Sequence, residues 1–268
     1  MQLALPPKKA PLPGAFLLCI LALSWFSPAV LAELDAHRAV QVDFAVDGDT
    51  LVLTDRRHVR LVGINAPEQG RTCPAHAKRC IPTPDEPLAQ EARRLLQSQV
   101  AKKTLSLIPG NETHDRYGRL LAYLHLTNNS DPAEALLNAG LASVIAIPPN
   151  LDRLARYQAL ESQARRQRRG LWGHGYFAAL DADALSSDLS GYHFVRGRVD
   201  SVERSRKYLY LDVGPKLAIM VALTDWERYF DFAPESLSHR EVEVRGWIVR
   251  YKDRLQLRIH HPAMLEIK

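Results

Sequence analysis

The stretch Asp47-Gly48-Asp49-Thr50 sets two carboxylates around a glycine. Arg60 follows on the next apolar run, with Asn65, Ala66, Pro67 and Glu68 close behind it. Further on stands Asp115-Arg116-Tyr117-Gly118-Arg119. Acidic side chains suit a hard cation, which prefers oxygen ligands, and Asp49 is the strongest ligand candidate. Guanidinium groups suit a phosphate, because each offers two parallel donors to two oxygens. Lysine is a poorer partner, being a point donor. The chemistry such a set could serve is phosphodiester hydrolysis. That reaction needs a nucleophilic water, charge neutralisation on the phosphoryl oxygens and help for the leaving oxygen. Taken singly, each segment is a weak signal. An Asp-Gly-Asp turn is common in hairpins, an arginine on a strand is usually solvated, and Tyr-Gly-Arg reads as another turn. Two assignments stay open: Asp47 tunes the charge beside Asp49 or caps backbone amides of its turn, and Tyr117 touches phosphate or sugar or packs the turn.

The elements that must position these residues follow from periodicity. Val40–Val46 alternates apolar and polar side chains, as a half-buried strand does. Thr50–Thr54 and His58–Val62 read as two more strands, and residues 63–87 as a long loop, a length that usually marks a functional or disordered segment. Leu88–Lys102 places Leu88, Ala92, Leu95, Leu96 and Val100 on one helical stripe. Thr104–Ile108 is a strand ended by Pro109-Gly110. Arg119–Leu126 is another, with Leu120, Ala122, Leu124 and Leu126 on one face. Asp131 caps a short helix with Pro132 at its first position and Gly140 after its end. Leu151–Arg169 forms a third helix, stopped at Gly170. Five strands with interspersed helices predict a small barrel with helices packed beside it.

The order of the three segments, namely a strand, a DGDT turn, an R-x-x-x-x-N-x-P-E stretch, a helix and then DRYGR, closely resembles the staphylococcal nuclease (thermonuclease) family. Gln90-Glu91-Ala92, the run from Glu134 to Ala142 and the run from Gln163 to Trp172 resemble its helices. The resemblance spans about residues 40–175 and implies an OB-type barrel and a calcium-dependent nuclease acting on DNA, RNA or both. It implies that Asp49, the Asn65 side chain and the Ala66 carbonyl hold calcium or another divalent ion. It also implies that Glu68 orients or deprotonates the attacking water, a role suited to a carboxylate, while Arg60 and Arg119 clamp the phosphate. The sequence departs from the family's pattern at four places, one of them the extra loop from Cys73 to Cys80. Asn65 stands where the best-known member has a second Asp, which removes a negative charge and predicts weaker calcium binding or another divalent preference. Ala66 stands for Thr. Ser143–Asn150 lacks the tyrosines that stack on the nucleotide base.

The rest of the chain sets the context. At 268 residues it is comfortable for two domains. Residues 1–32 hold Lys8 and Lys9, an apolar run from Ala15 to Phe26 and Val30-Leu31-Ala32 before Glu33, the pattern of a cleavable secretory signal. That run is too short to span a bilayer, which takes about 20 residues. A secreted or periplasmic protein with no stable membrane insertion is expected. Losing the two lysines takes the formal charge from +5 to +3, mildly basic and suited to a polyanionic partner without requiring one. Cys73 and Cys80 then remain, and in an oxidising compartment such a pair reads as a disulfide. The competing reading, a metal site with His76, lacks a fourth ligand.

The expected organisation is a signal at 1–32, a nuclease-like domain at 33–177, a small, polar linker at 178–191 and an OB-like β domain at 192–268. The fold class is mainly β with helices (α+β). In the last domain His193–Glu203, Lys207–Val213, Leu217–Leu223, Arg240–Arg250 and Leu255–His260 read as strands of a second small barrel, with a loop or short helix at Pro234 and Ser236. Arg196, Arg198, Tyr208, Tyr210, Arg245, Trp247 and Arg258 alternate with apolar neighbours there. They form a face suited to single-stranded nucleic acid or simply a solvated outer surface. Two rivals to an exported nuclease stand beside it: a nuclease-like nucleic-acid-binding protein of the cell envelope that has lost catalysis, and an envelope protein whose barrels bind protein or glycan.

Overall fold

The computed structural model describes residues 39–73 and 81–268. The expected signal at 1–32 and the expected disulfide partner Cys80 lie outside the described residues. Ala39–Lys268 forms one compact unit. The first barrel is built from β1 (Ala39–Ala45), β2 (Thr50–Leu53), β3 (His58–Leu61), β5 (Thr104–His114) and β6 (Leu120–Leu126), closed in the order β1-β2-β3-β6-β5. In β1, Val40 and Val42 face inward. The register against β2 then slips between Val42 and Phe44, so Asp43 and Phe44 both point outward and Ala45 returns to the core. A bulge of this kind sharpens the twist a small barrel needs. β3 and β6 pair in parallel, Val59 opposite Leu120 and Leu61 opposite Ala122.

Two features differ from the sequence expectation for this half. β5 runs past Pro109-Gly110 to His114, its register against β6 shifting between Pro109 and His114. The reason is a side chain acting as a strand: the Asn150 amide accepts from the Glu112 N–H and donates to the Glu112 carbonyl, each at 2.9 Å. The segment 63–87 is not all loop, because β4 (Ile64–Asn65) pairs antiparallel with β7 (Ser143–Val144).

Three helices lie against this barrel. α1 (Ala89–Val100) buries Ala89, Ala92, Leu96 and Val100, the spacing of one helical face. α2 (Pro132–Ala139) begins at Asp131 as predicted, whose carboxylate accepts the Ala133 N–H, and ends at Gly140 in the left-handed region. α3 (Leu154–Arg166) is shorter than the expected Leu151–Arg169. It is closed before Gly170 by Arg168 at φ 51°, with Arg168 N–H donating to Arg165 O and Arg169 N–H to Ala164 O, a Schellman closure. Asp131 also takes the Arg153 guanidinium and, at 2.6 Å, the Tyr157 hydroxyl. Asp131→Ala therefore strips a helix cap and takes from a half-buried guanidinium and a buried hydroxyl the carboxylate they share. The expected cost is about 3 kcal/mol, read as a lower urea midpoint at unchanged slope; an unmoved midpoint would mean that water replaces the carboxylate.

The second barrel uses β9 (Gly191–Arg204), β10 (Tyr208–Val213), β11 (Leu217–Ala222), β12 (Glu241–Tyr251) and β13 (Arg254–Ile259). Its order is β12-β13-β11-β10-β9, and pairing of β12 with β9 closes it. β8 (Leu180–Asp181) and β14 (Leu265–Ile267) extend the sheet at its edges. The molecule is thus mainly β, with two closed five-stranded barrels and, among the described residues, four α-helices. The segment expected to be a linker, 178–191, is packed: β8 pairs with β9, and Ala182 and Leu185 are buried in the second core. α4 (Leu223–Tyr229), absent from the sequence reading, follows β11 and stacks Trp226 on Phe230 with ring centroids 4.1 Å apart.

Candidate active site

The turn between β1 and β2 carries Asp47, Gly48 and Asp49. A side chain on Gly48 would meet Ala66 Cβ at 2.5 Å and Ala92 Cβ at 2.7 Å, so the missing Cβ lets this turn press against the loop after β4 and against α1. That close approach brings Asp49 to Ala66. Asp49 is 3% exposed. Its Oδ2 accepts the Ala66 N–H at 2.7 Å and pairs with Arg60 Nη2 at 3.0 Å, and its Oδ1 accepts the Thr50 hydroxyl at 3.1 Å. Asp47 Oδ1 accepts the Asp49 N–H at 2.9 Å, so its turn-capping role is present. Burial, and then the charge of Asp49, push the Asp47 carboxyl up to about 8. Two buried carboxyls so placed resist a second negative charge.

Arg60 gathers the β4 segment around itself. Nη1 donates to the Leu61 and Ile64 carbonyls, both at 2.9 Å, and Nη2 to Asn65 Oδ1 at 3.2 Å as well as to Asp49. Arg119 is held from one side only. Its Nε donates to Asp115 Oδ2 at 2.7 Å and its backbone N–H to Asp115 Oδ1, while Nη1 lies 3.5 Å from Thr50 Oγ1. Its terminal nitrogens thus face the turn that bears Asp49. Glu68 is anchored through its backbone, its N–H donating to Glu86 Oε2 at 2.9 Å and its carbonyl accepting the Glu86 N–H. Among the described residues its carboxylate takes no hydrogen bond. Although Glu68 as a residue is exposed, desolvation of its carboxyl raises its pKa. Asp49 and Glu86 raise it further, against the pull of Arg60 and Arg119. The charges acting on Glu68 are therefore those of the expected site.

The structure brings Asp47, Asp49, Arg60, Asn65, Ala66, Glu68 and Arg119 together. Tyr117 lies at the rim, 69% exposed, its hydroxyl accepting from Arg116 Nη2 at 2.6 Å and its ring under the Arg116 and Arg119 guanidinium groups. Cys73 is disulfide-bonded. Sequence reasoning gave no role to Thr50 and Asp115, which orient Asp49 and Arg119. Both lay inside the quoted motifs, and the short Asp115–Arg119 spacing of a turn was the available signal. Arg245, assigned to the exposed basic face, is instead buried and paired with Glu161 at 2.6 Å. Of the other residues of that expected face, Arg196 and Arg198 are exposed, Trp247 is 39% exposed, and Arg258 lies over Tyr208, which neighbours Tyr210.

The donor set near Asp49 is all oxygen: the Asp47 and Asp49 carboxyls, the Asn65 amide oxygen and the Ala66 carbonyl, which accepts no hydrogen bond among the described residues. Such a set fits a hard cation in chemistry. It is a partial shell, because among the described residues no three His, Cys, Asp or Glu side chains converge as a metal cage. Asp49 Oδ2 and Asn65 Oδ1 are also the oxygens that Arg60 holds.

Residues 58–174 match the family model described as staphylococcal nuclease homologue. The chain is 26% identical over 132 residues to a thermonuclease of Staphylococcus hyicus, covering 48% of this chain and 72% of that protein. It is 31% identical over 142 residues to the SPbeta prophage-derived endonuclease YokF of Bacillus subtilis (strain 168), covering 51% of this chain and 45% of that protein. It is 29% identical over 158 residues to an uncharacterized endonuclease of Escherichia coli O157:H7, covering 58% of this chain and 86% of that protein. With the closed barrel and the clustered Asp49, Arg60, Glu68 and Arg119, these matches make residues 58–174 similar in sequence to staphylococcal nuclease homologues.

Proposed function

We propose that the protein is an exported, divalent-ion-dependent nuclease, with calcium as its ion, that hydrolyses phosphodiester bonds of DNA and of RNA. The observation that carries this reading is the buried Asp49, which holds Arg60 Nη2 and the Ala66 N–H on one carboxylate oxygen, with Asn65 Oδ1 on the same guanidinium and Arg119 reaching Thr50 beside it. Glu68 is the general base on water. Arg119, steered by Asp115, and Arg60 neutralise the phosphoryl oxygens as charge builds there. Asp49, Asn65 and the Ala66 carbonyl would hold the ion, with Asp47 behind them. The ion would supply charge neutralisation at the phosphate. Export through residues 1–32 and a Cys73–Cys80 disulfide belong to the same reading, which the apolar run ahead of Glu33 supports. The second barrel offers Tyr208, Tyr210, Arg258 and Trp247 to single-stranded nucleic acid, where bases stack on rings and arginine meets phosphate.

The test is cleavage by the mature chain. Single-stranded DNA, duplex DNA and RNA are incubated with calcium, magnesium or chelator. Cleavage in calcium and none in chelator is expected. Substrates left intact under every ion would overturn the nuclease reading and leave the catalytically silent binding protein, for which the engagement of Asp49 by Arg60, Thr50 and the Ala66 N–H would then be the structural basis.

A further inference from the structure

A chain of contacts runs from the second barrel into the ion-and-phosphate site of the first. Arg245, on β12, is 8% exposed. Its Nη1 donates to Glu161 Oε1 at 2.6 Å, and its Nη2 to the Ala263 carbonyl at 3.1 Å. Glu161, on α3, is 3% exposed, and the same Oε1 accepts the Val144 N–H at 2.7 Å. Val144 belongs to β7, which pairs with β4: Ile64 opposite Val144, Asn65 opposite Ser143. The next N–H, that of Ile145, reaches the Gly63 carbonyl at 3.0 Å. A second thread runs beside the first. The Ser143 hydroxyl lies 3.4 Å from the Asn65 carbonyl and 3.3 Å from the Tyr192 hydroxyl, and Tyr192 stands on β9 of the second barrel. Apolar packing follows the same path, because Ile145 and Ala146 are buried in the second core, not the first.

We propose that Arg245 and Tyr192 are positioning residues for the candidate active site, through which the second barrel fixes the β4 strand that presents Asn65 and Ala66. This rests on the reading of that site given above. The physical case begins with the ion pair. Burying Arg245 and Glu161 desolvates both, so the pair is a poor device for stability alone. What it does is hold one carboxylate oxygen where the Val144 N–H needs an acceptor. β4 and β7 are each two residues long, far too short to hold their register unaided. Arg60 grips β4 from the barrel side through Ile64 and Asn65. β7 grips it from the other side only as firmly as Glu161 and Arg245 hold β7. Tyr192 completes the arrangement: with the Ser143 proton on the Asn65 carbonyl, the Tyr192 O–H is free to donate to Ser143.

The test reads the strand directly in the ion-free protein, by amide hydrogen exchange at Ala66 and Ile145, and then reads calcium affinity by titration calorimetry and cleavage as separate kcat and KM values. Three variants are compared. Arg245→Met combined with Glu161→Gln removes both buried charges while the glutamine oxygen still accepts from Val144, so the fold survives. Tyr192→Phe removes a single hydroxyl. Arg165→Met is the control: it breaks the partly exposed pairs from α3 to Glu243 and Glu266 without touching β7. The double variant is expected to speed exchange at Ala66 and Ile145 about tenfold, the size of losing one well-placed tether, and to weaken calcium and lower kcat with little change in KM. Tyr192→Phe moves the same readouts less, and Arg165→Met leaves them in place. Unchanged exchange in the double variant overturns the proposal, and so does an equal change in Arg165→Met, which would mark general domain docking. If wild type neither binds calcium nor cleaves, the nuclease reading fails while the exchange data still decide whether the second barrel positions β4.

Discussion

Glu68→Gln is expected to lower the cleavage rate by about 10²–10⁴-fold, the range that a general base contributes, while leaving folding untouched. Both halves follow from how Glu68 is held. Its backbone is fixed by the exchange of two hydrogen bonds with Glu86, so the side chain is not needed to keep the loop in place. Among the described residues the carboxylate carries no donor, so an isosteric amide breaks no protein contact, and a surface change of this kind usually stays within about 0.5 kcal/mol. The substitution removes the proton acceptor with its negative charge and no hydrogen bond. Single-turnover cleavage at saturating calcium, beside a urea denaturation curve, separates the effects. A variant that cuts at the wild-type rate would show that water is activated by another group.

Arg60 tells the opposite story. Arg60→Met is expected to cost about 3 kcal/mol of stability, because it leaves Asp49, 4% exposed at its side chain, without its cation. Arg60→Lys should recover most of that stability and still cut at least about 100-fold more slowly. One ammonium can satisfy Asp49, but it cannot span Asp49 Oδ2, Asn65 Oδ1 and the Leu61 and Ile64 carbonyls at once. A urea midpoint close to wild type in the lysine variant, with slow cleavage, identifies the planar fork as the required feature. Wild-type cleavage by Arg60→Lys would reduce Arg60 to a charge.

The two substitutions differ because the two groups are used differently: Glu68 is spare to the fold and Arg60 is woven into it. The same contrast explains the departures from the family's pattern noted in the sequence. The stretch 143–150 lacks stacking tyrosines, and in the folded chain Ile145 and Ala146 are buried in the second core while Ser143 and Val144 form β7. Four of these positions, Ser143 to Ala146, are thus buried, while Ile147 and Pro149 are exposed. A base-stacking surface, where one exists, then has to come from elsewhere, and Trp247, packed edge-on against Tyr192 at 5.1 Å, stands on the barrel that meets Ser143.

Much of this protein was legible in the order of its residues. The strands of both barrels, the helical face of α1 and the cap and stop of α2 are local matters: period two, period 3.6, an aspartate before a proline, a glycine after the last turn. Asp49, Arg60 and Arg119 could be named from side-chain chemistry, whereas Asn65, Ala66 and Glu68 were named through the resemblance of the motif order to the staphylococcal nuclease family. Helix ends were less legible, since Arg168 adopts the left-handed conformation that a glycine two residues on was expected to supply.

What the sequence could not decide is which charges are buried. Arg245 looked like one more arginine on a strand face. Its partner Glu161 is 84 residues away, on the helix α3 that lies against the first barrel. The residues at 178–191 looked like a spacer until Ala182 and Leu185 were found in a core. Tertiary structure alone settled these points, because burial is a property of what packs on the other side of a residue. For Arg245 and Glu161 that other side is supplied by an element distant in the sequence: Arg245 stands on β12 of the second barrel and Glu161 on α3 beside the first.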